Sequence, residues 1–123
     1  MKVIKNFKYT KEHEWIDINT GIIGVTNFAQ GELGDIVFVE LPNIGDSFIQ
    51  DDVFGTIEAV KTVADLYIPV SGKIIDINEA LESNPELINM DPYKQGWIVK
   101  IEIDDNSEFE ALLSNDQYEK LIN

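Results

Sequence analysis

Short runs of alternating apolar and polar residues, separated by turn-forming residues, make up most of the chain. Alternation at period 2 is typical of half-buried β-strands, and glycine, proline, asparagine and aspartate commonly end them. The pattern predicts strands at residues 14–18, 22–26, 35–41, 52–58, 64–68, 72–77 and 97–103. Because many short strands with frequent turns are typical of β-sandwiches and barrels, we expect a mainly β fold.

Helical signals are confined to the connections and the C-terminal tail. Residues 27–33, 78–82 and 83–88 predict short helical turns between strands. Ser107–Glu110 and Ser114–Gln117 each match the capping-box pattern, in which a serine and an acid or amide three residues later satisfy each other's backbone donors. The tail is therefore predicted to be helical from residue 107 to 122 and divided near Ser114. No linker or low-complexity stretch interrupts the chain, so we expect one domain over residues 1–123.

Composition narrows the class of protein. The 123 residues are 44% hydrophobic, yet they include no apolar run of the ~20 residues that a membrane span requires. The N-terminal residues 1–7 resemble neither a secretory signal nor a transit peptide, so we expect a cytoplasmic protein or a mature organellar one. The formal net charge of −14 disfavours nucleic acid as a partner. Such a surface would attract proteins with basic patches, or it simply keeps the protein in solution.

Three absences restrict the chemistry. All nine basic residues other than His13 are lysines, so no guanidinium group is present to grip a carboxylate or phosphate. Cysteine is absent, which removes thiol nucleophiles, disulfides and thiolate metal sites. His13 is the single histidine, which excludes a multi-histidine metal site, and between two glutamates it is predicted to be a hydrogen-bonded structural residue at a strand start. Any sulfur or redox chemistry would need a cofactor.

Lys61 is the candidate functional residue. Between Lys11 and Lys73 it is the only basic residue apart from His13, and it falls between two predicted strands with Val60 and Val63 close by. A lysine at a hairpin tip is sterically open to acylation by another enzyme. Taken alone, however, such a lysine is better explained as a solvated turn residue.

The surroundings of Lys61 resemble the biotinyl/lipoyl carrier domains. Gly45 and Gly72 lie in turn signals on either side of it, where positive φ is plausible. In this superfamily two small β-sheets form a barrel-sandwich hybrid, and a hairpin presents the modified lysine at its tip. Biotin carriers usually have methionines beside that lysine, whereas Val60 and Thr62 resemble the lipoylated branch.

Several longer blocks of the sequence carry a more specific resemblance, namely residues 9–15, 27–42, 58–61, 65–72, 78–81 and 84–89. They resemble the glycine cleavage H proteins, and the resemblance extends from about Phe7 to the C-terminal helix. The family commonly has Glu-Ser-Val-Lys-Ala around the lysine, whereas this chain has Ala before Val60 and Thr after Lys61.

The resemblance implies a non-catalytic carrier with lipoic acid in amide linkage to Lys61. It would take the aminomethyl group of glycine from a glycine decarboxylase (P protein) to an aminomethyltransferase (T protein). A dihydrolipoamide dehydrogenase (L protein) would reoxidise it, and a lipoyl or octanoyl transferase or ligase would modify it. Glu14 and Asp65 match positions that line a cleft for the loaded arm, and Glu58 is a candidate for recognition by the modifying enzyme. Neither a catalytic nor a metal-binding residue is implied, and we expect a monomer.

Three alternatives stay open on the sequence. One is a carrier that relays lipoyl groups to other proteins, a role compatible with glycine cleavage. Another is an H-like protein that serves a different redox system. The third is an acidic adaptor whose Lys61 is never modified. The location would be the bacterial cytoplasm, or the mitochondrial matrix for a processed eukaryotic chain.

Overall fold

The computed structural model describes residues 6–123, and residues 1–5, which include most of the segment compared with targeting signals, lie outside the described part. Along the described chain the strands are β1 Phe7–Tyr9, β2 Glu14–Asp17, β3 Ile22–Val25, β4 Ile36–Glu40, β5 Ser47–Phe48, β6 Val53–Ala59, β7 Val63–Tyr67, β8 Gly72–Ile77 and β9 Val99–Ile103. The α-helices are α1 Asn27–Leu33, α2 Ala80–Ser83, α3 Leu87–Met90 and α4 Asn115–Ile122, and a 3-10 helix spans Asn106–Ala111.

The strands form two antiparallel sheets. One has six strands in the order β1-β2-β3-β9-β8-β5, and the other has three in the order β4-β6-β7. Apolar side chains from both sheets meet in one buried cluster, with Ile16, Ile23 and Ile74 from the larger sheet and Val39 and Ile57 from the smaller. The expected mainly β architecture of two small sheets, short helices and a C-terminal helix is confirmed, and neither sheet closes into a barrel.

Period-2 alternation explains which faces are buried. In β6, Gly55, Ile57 and Ala59 are buried and Glu58 is exposed, while Phe54 is buried out of phase, where the register with β7 shifts between Val53 and Gly55. A second cluster of aromatic residues, built on the buried side chains of Tyr9, Trp15 and Tyr118, fixes helix α4 against β1 and β2. Among residues 6–123, no helix is both long enough and apolar enough to cross a membrane.

The predicted strands agree with the observed ones to within about two residues at their ends, but β1 and β5 were not predicted. Both are short, with three and two residues, so neither is long enough to show a clear alternation. The C-terminal tail is divided at Ser114 as predicted, and Ser114 and Gln117 form the expected capping box of α4. The capping box predicted at Ser107–Glu110 is wrong. Asp105 caps that segment by accepting from the Ser107 N–H, and the segment forms a 3-10 helix.

The two glycines flanking the lysine hairpin differ from one another. Gly45 adopts φ +99°, as the turn signal predicted. Gly72 does not have positive φ, and it begins β8, where it pairs with Ile103 and Phe48. It is glycine for another reason, since a Cβ there would lie 2.6 Å from the Glu102 carbonyl oxygen and 3.0 Å from the Ile101 side chain.

We predict that Gly72→Ala destabilises the fold by about 1–3 kcal/mol, the usual cost of overpacking a site that cannot relax. Gly31→Ala is the matched control, because a Cβ at that exposed position in α1 would meet nothing within 4 Å. The control should be neutral or gain up to about 1 kcal/mol, since alanine favours helix over glycine. Denaturant unfolding measures both free energies. Equal stability of the two variants would refute the close-approach explanation for Gly72.

Candidate functional site

The β6–β7 hairpin presents Lys61 at its tip. The turn is closed by a hydrogen bond of 2.7 Å from the Ala59 N–H to the Thr62 carbonyl. Lys61 is exposed, as predicted, and the adjacent Val60 is 75% exposed. The Val60 N–H donates to the Asp35 carbonyl at 3.0 Å, so the tip is fastened to the loop before β4. The lysine amine is therefore accessible on a turn whose backbone is held in place.

The Lys61 side chain lies beside Gly34, the residue that ends helix α1. A Cβ built on Gly34 would be 3.4 Å from Lys61 Cε and 3.8 Å from Nζ. Gly34 has φ +80° and ψ −155°, a conformation essentially restricted to glycine. The Asn89 side chain of α3 holds this loop by donating to the Gly34 carbonyl at 2.8 Å and accepting from the Ile36 N–H at 3.0 Å. The loop beside Lys61 is therefore held in place by two helices, α1, which it follows, and α3, which bonds to it through Asn89.

A cleft of about 180 Å³ begins next to this loop, at Leu33. Helix α1 supplies one wall, strand β7 supplies another, and the turn between β1 and β2 completes it. Most of its lining is apolar, and the rest consists of four carboxylates and one imidazole. The lining residues are Glu12, His13, Glu14, Val25, Ala29, Glu32, Leu33, Ile57, Ala64, Asp65 and Leu66. An apolar cleft with acidic groups is suited to hold an aliphatic group that carries a positive charge.

Glu14 is the most deeply buried of the carboxylates, with 1% of its surface exposed. One carboxylate oxygen accepts from the Thr10 hydroxyl, and the other accepts from the Tyr67 N–H at 3.1 Å. Burial raises the pKa of Glu14 to about 7, although these two hydrogen bonds act in the opposite direction. The carboxyl group therefore changes charge near neutral pH, and a cation in the cleft would favour its ionised form.

Asp65 is exposed on β7 at the rim of the same cleft. The structure thus brings together Glu14 and Asp65, which are far apart in sequence. Glu58 lies elsewhere, exposed on β6 and paired across the sheet with Phe38 on one side and Val63 on the other. It does not line the cleft.

His13 is a hydrogen-bonded residue immediately before β2, as predicted. Its Nδ1 is 2.9 Å from the Tyr118 hydroxyl, and its ring contacts Phe28 with centroids 4.8 Å apart. Burial lowers the pKa of His13, while the nearby Glu12 and Glu32 carboxylates raise it. His13 also borders the cleft, a position that was not predicted from the sequence.

The comparisons with known proteins agree with this geometry. The family described as glycine cleavage H-protein matches residues 7–123. The chain belongs to the glycine cleavage H-protein family. Relatives named glycine cleavage system H protein include one from Staphylococcus epidermidis, 56% identical over 99% of this chain and 98% of its own length. Another, from Carboxydothermus hydrogenoformans, is 52% identical over 98% of this chain and 94% of its own length.

A solved structure supports the same assignment. The crystal structure of a glycine cleavage system H protein from Mycobacterium marinum superposes with a TM-score of 0.84 at 34% identity, covering 96% of this chain and 97% of that one. The family resemblance read from the sequence is therefore confirmed over nearly the whole chain.

Several residues that shape the site were not singled out from the sequence. Gly34 and Asn89 lie within blocks that resemble the family, but no local signal connects them with the lysine, since the contact is made only in the fold. The acidic residues Glu12 and Glu32 were indistinguishable from other surface acids. Tyr118 was predicted only as part of a helix.

We predict that Glu14 makes the stability of the unmodified protein depend on pH. Its folded pKa is raised above the unfolded value, so its stabilising effect is complete below about pH 4.5 and is lost as pH rises through about 7. Relative to Glu14→Gln, which cannot ionise, the wild type should lose up to about 3 kcal/mol across this interval. Denaturant unfolding of both proteins at pH 5 and pH 8 measures the change. A stability difference that is the same at both pH values would contradict the assignment.

Proposed function

We propose that this chain is the lipoyl carrier of a glycine cleavage system, with the lipoyl group attached through an amide to Lys61. The observation that carries the proposal is the position of Lys61. Its amine is exposed at a fastened hairpin tip, and its side chain lies beside Gly34, which directly follows Leu33 of the apolar, acid-lined cleft. The chain itself is a carrier and not an enzyme, in keeping with the family.

The residues present fit a lipoyl group. Lys61 would hold it, and Leu33, Ala29 and Ala64 offer an apolar surface of suitable chemistry for its aliphatic chain and ring. When bound, the lipoyl group supplies a dithiolane that accepts electrons and the aminomethyl carbon of glycine, chemistry that a chain without cysteine cannot supply. The tether raises the effective concentration of the group at each enzyme that docks.

The cleft would protect the carried aminomethyl group between enzymes. Its amine is cationic at neutral pH, so it would be attracted to Glu14 within the cleft and to Asp65 at the rim. Because burial raises the pKa of Glu14 to about 7, this carboxyl group would be partly protonated at neutral pH and would ionise more fully when a cation enters the cleft. The apolar walls would exclude the water that hydrolyses an aminomethyl thioether.

We propose that Glu58 contributes to recognition by the transferase or ligase that modifies Lys61. Glu58 is exposed in a row across the outer face of the small sheet, between Phe38 and Val63, which are 53% and 62% exposed. An apolar row with a central carboxylate near the acceptor lysine suits a complementary surface with a basic residue.

The remaining assignments follow from the family. The partners would be glycine decarboxylase, aminomethyltransferase and dihydrolipoamide dehydrogenase, encountered by a monomeric carrier in the cytoplasm, as expected for a bacterial-type chain. Residues 1–123 would act as one lipoyl-carrier domain, an assignment supported by the single cluster that buries side chains of both sheets.

Lys61→Arg should abolish lipoylation and glycine-dependent activity while leaving the fold intact, because arginine keeps the charge but cannot form the amide. Intact-mass spectrometry after incubation with a lipoate ligase, followed by reconstitution with the three partner enzymes, measures both effects. Lys73→Arg, at an exposed position in β8, is the matched control and should be modified normally. The same assay should show slower modification of Glu58→Gln. Modification of the Lys61→Arg variant, or absence of lipoate on protein from its native host, would refute the proposal.

Glu14→Ala and Asp65→Ala should each shorten the lifetime of the carried aminomethyl group without preventing lipoylation. The loss is measured as release of formaldehyde and ammonia from loaded protein after removal of the partner enzymes. Glu14→Ala should have the larger effect, since Glu14 is within the cleft and Asp65 is at its rim. Glu119→Ala, on the exposed surface of α4, is the control. Unchanged lifetimes in both cleft variants would remove the protective role and leave only transport by the arm.

A further inference from the structure

One buried hydroxyl group, on Tyr118 of the C-terminal helix, joins two walls of the cleft. It lies 2.9 Å from His13 Nδ1 and 2.6 Å from Thr26 Oγ1, and the Tyr118 side chain is fully buried. His13 belongs to the turn between β1 and β2, which lines the cleft. Thr26 caps helix α1, since its hydroxyl accepts from the Ala29 N–H at 3.2 Å. Both partners therefore control the position of cleft-lining residues.

The backbone of His13 adopts an uncommon conformation. Its φ is +71°, in the left-handed region that few residues other than glycine adopt, although histidine does so more often than most. The backbone is held by hydrogen bonds from the His13 N–H to the Thr10 carbonyl and from the Thr26 N–H to the His13 carbonyl. The bond to Tyr118 is the one that fixes the imidazole ring, together with the ring contact to Phe28.

We propose that the Tyr118 hydroxyl is a positioning group for the cleft, which holds the His13 ring on one wall and the α1 N-cap on the other. This inference rests on the proposed function of the cleft as a shelter for the carried group. It assigns a role in that shelter to a helix that contributes no residue to the lining. Packing of α4 would thereby set the shape of the cleft through the contact between His13 and Tyr118.

The ring of Tyr118 and its hydroxyl have separable roles. The ring stacks on Tyr9, with centroids 4.6 Å apart and planes 9° apart, and this contact holds α4 against the aromatic cluster. Tyr118→Phe keeps that stacking and removes only the hydroxyl. Ile122→Ala is the matched control, because Ile122 packs on the same cluster and has no polar group that could bond His13 or Thr26.

The first measurement uses unmodified protein. His13 is the single histidine, so its imidazole ¹⁵N resonances can be assigned without ambiguity. Tyr118→Phe should change the Nδ1 chemical shift, which reports hydrogen bonding at that atom, and should accelerate amide exchange at Ala29 in the first turn of α1. Ile122→Ala should lower the melting temperature yet leave the Nδ1 shift unchanged.

The second measurement uses lipoylated protein loaded with the aminomethyl group. Tyr118→Phe should shorten the lifetime of this group by about fivefold, which corresponds to about 1 kcal/mol, the usual net contribution of one hydrogen bond. Ile122→Ala should leave the lifetime near that of the wild type. If Tyr118→Phe does not fold, His13→Gly replaces it, because glycine adopts positive φ freely and has no side chain that could reach the tyrosine.

The outcomes separate this inference from the proposed function. Unchanged lifetimes in both Glu14→Ala and Asp65→Ala would refute the shelter itself. A shorter lifetime in either cleft variant together with wild-type behaviour of Tyr118→Phe, or of His13→Gly in its place, would overturn the positioning role alone. Equal shortening in Ile122→Ala would also overturn it, since general loosening of α4 would then explain the effect.

Discussion

The buried carboxyl group of Glu14 is the constraint on which the arrangement of the site depends. Transfer of a carboxylate from water to an apolar interior is costly unless hydrogen bonds compensate, and here the Thr10 hydroxyl and the Tyr67 N–H provide them. Thr10 follows the first strand of the large sheet, and Tyr67 ends the edge strand of the small sheet. One side chain therefore ties the two sheets together at the point where the cleft opens. An apolar residue at this position would remove the acceptor of both donors, so the link between the sheets depends on the carboxyl group.

The lysine hairpin shows how a chain can combine an accessible acceptor with a well-defined position. Its exposure follows from the tight turn, in which the Ala59 N–H donates to the Thr62 carbonyl and Lys61 lies at the tip. Its direction follows from Gly34, which allows the end of the lysine side chain to lie close to backbone. In the proposed carrier, the mobility needed for transport would reside in the group attached to Lys61, while the hairpin stays ordered.

Local patterns predicted much of this structure, and contacts between distant segments account for what they missed. Alternation predicted most strands, because a strand with one buried face alternates apolar and polar residues. The flanking strands together with the family blocks made Lys61 the candidate functional residue. Gly72 was assigned a turn conformation, whereas close approach of the Glu102 carbonyl in a neighbouring strand explains it. The contact between His13 and Tyr118 spans 105 positions, so no spacing rule would reveal it. The capping boxes had the same sequence pattern, and only the one followed by a regular helix formed.

Only part of the cleft lies on the hairpin that presents Lys61, and this has a consequence for transplantation. Residues 53–67 build the hairpin and one wall of the cleft, whereas α1 and the turn after β1 build the walls that face it. A hairpin grafted onto another antiparallel sheet would carry Lys61 and its own wall without the facing ones. With Lys61 as the proposed lipoylation site, such a chimera would be modified while the carried group stayed open to solvent. Modification and protection of the carried group could therefore be separated by evolution or design.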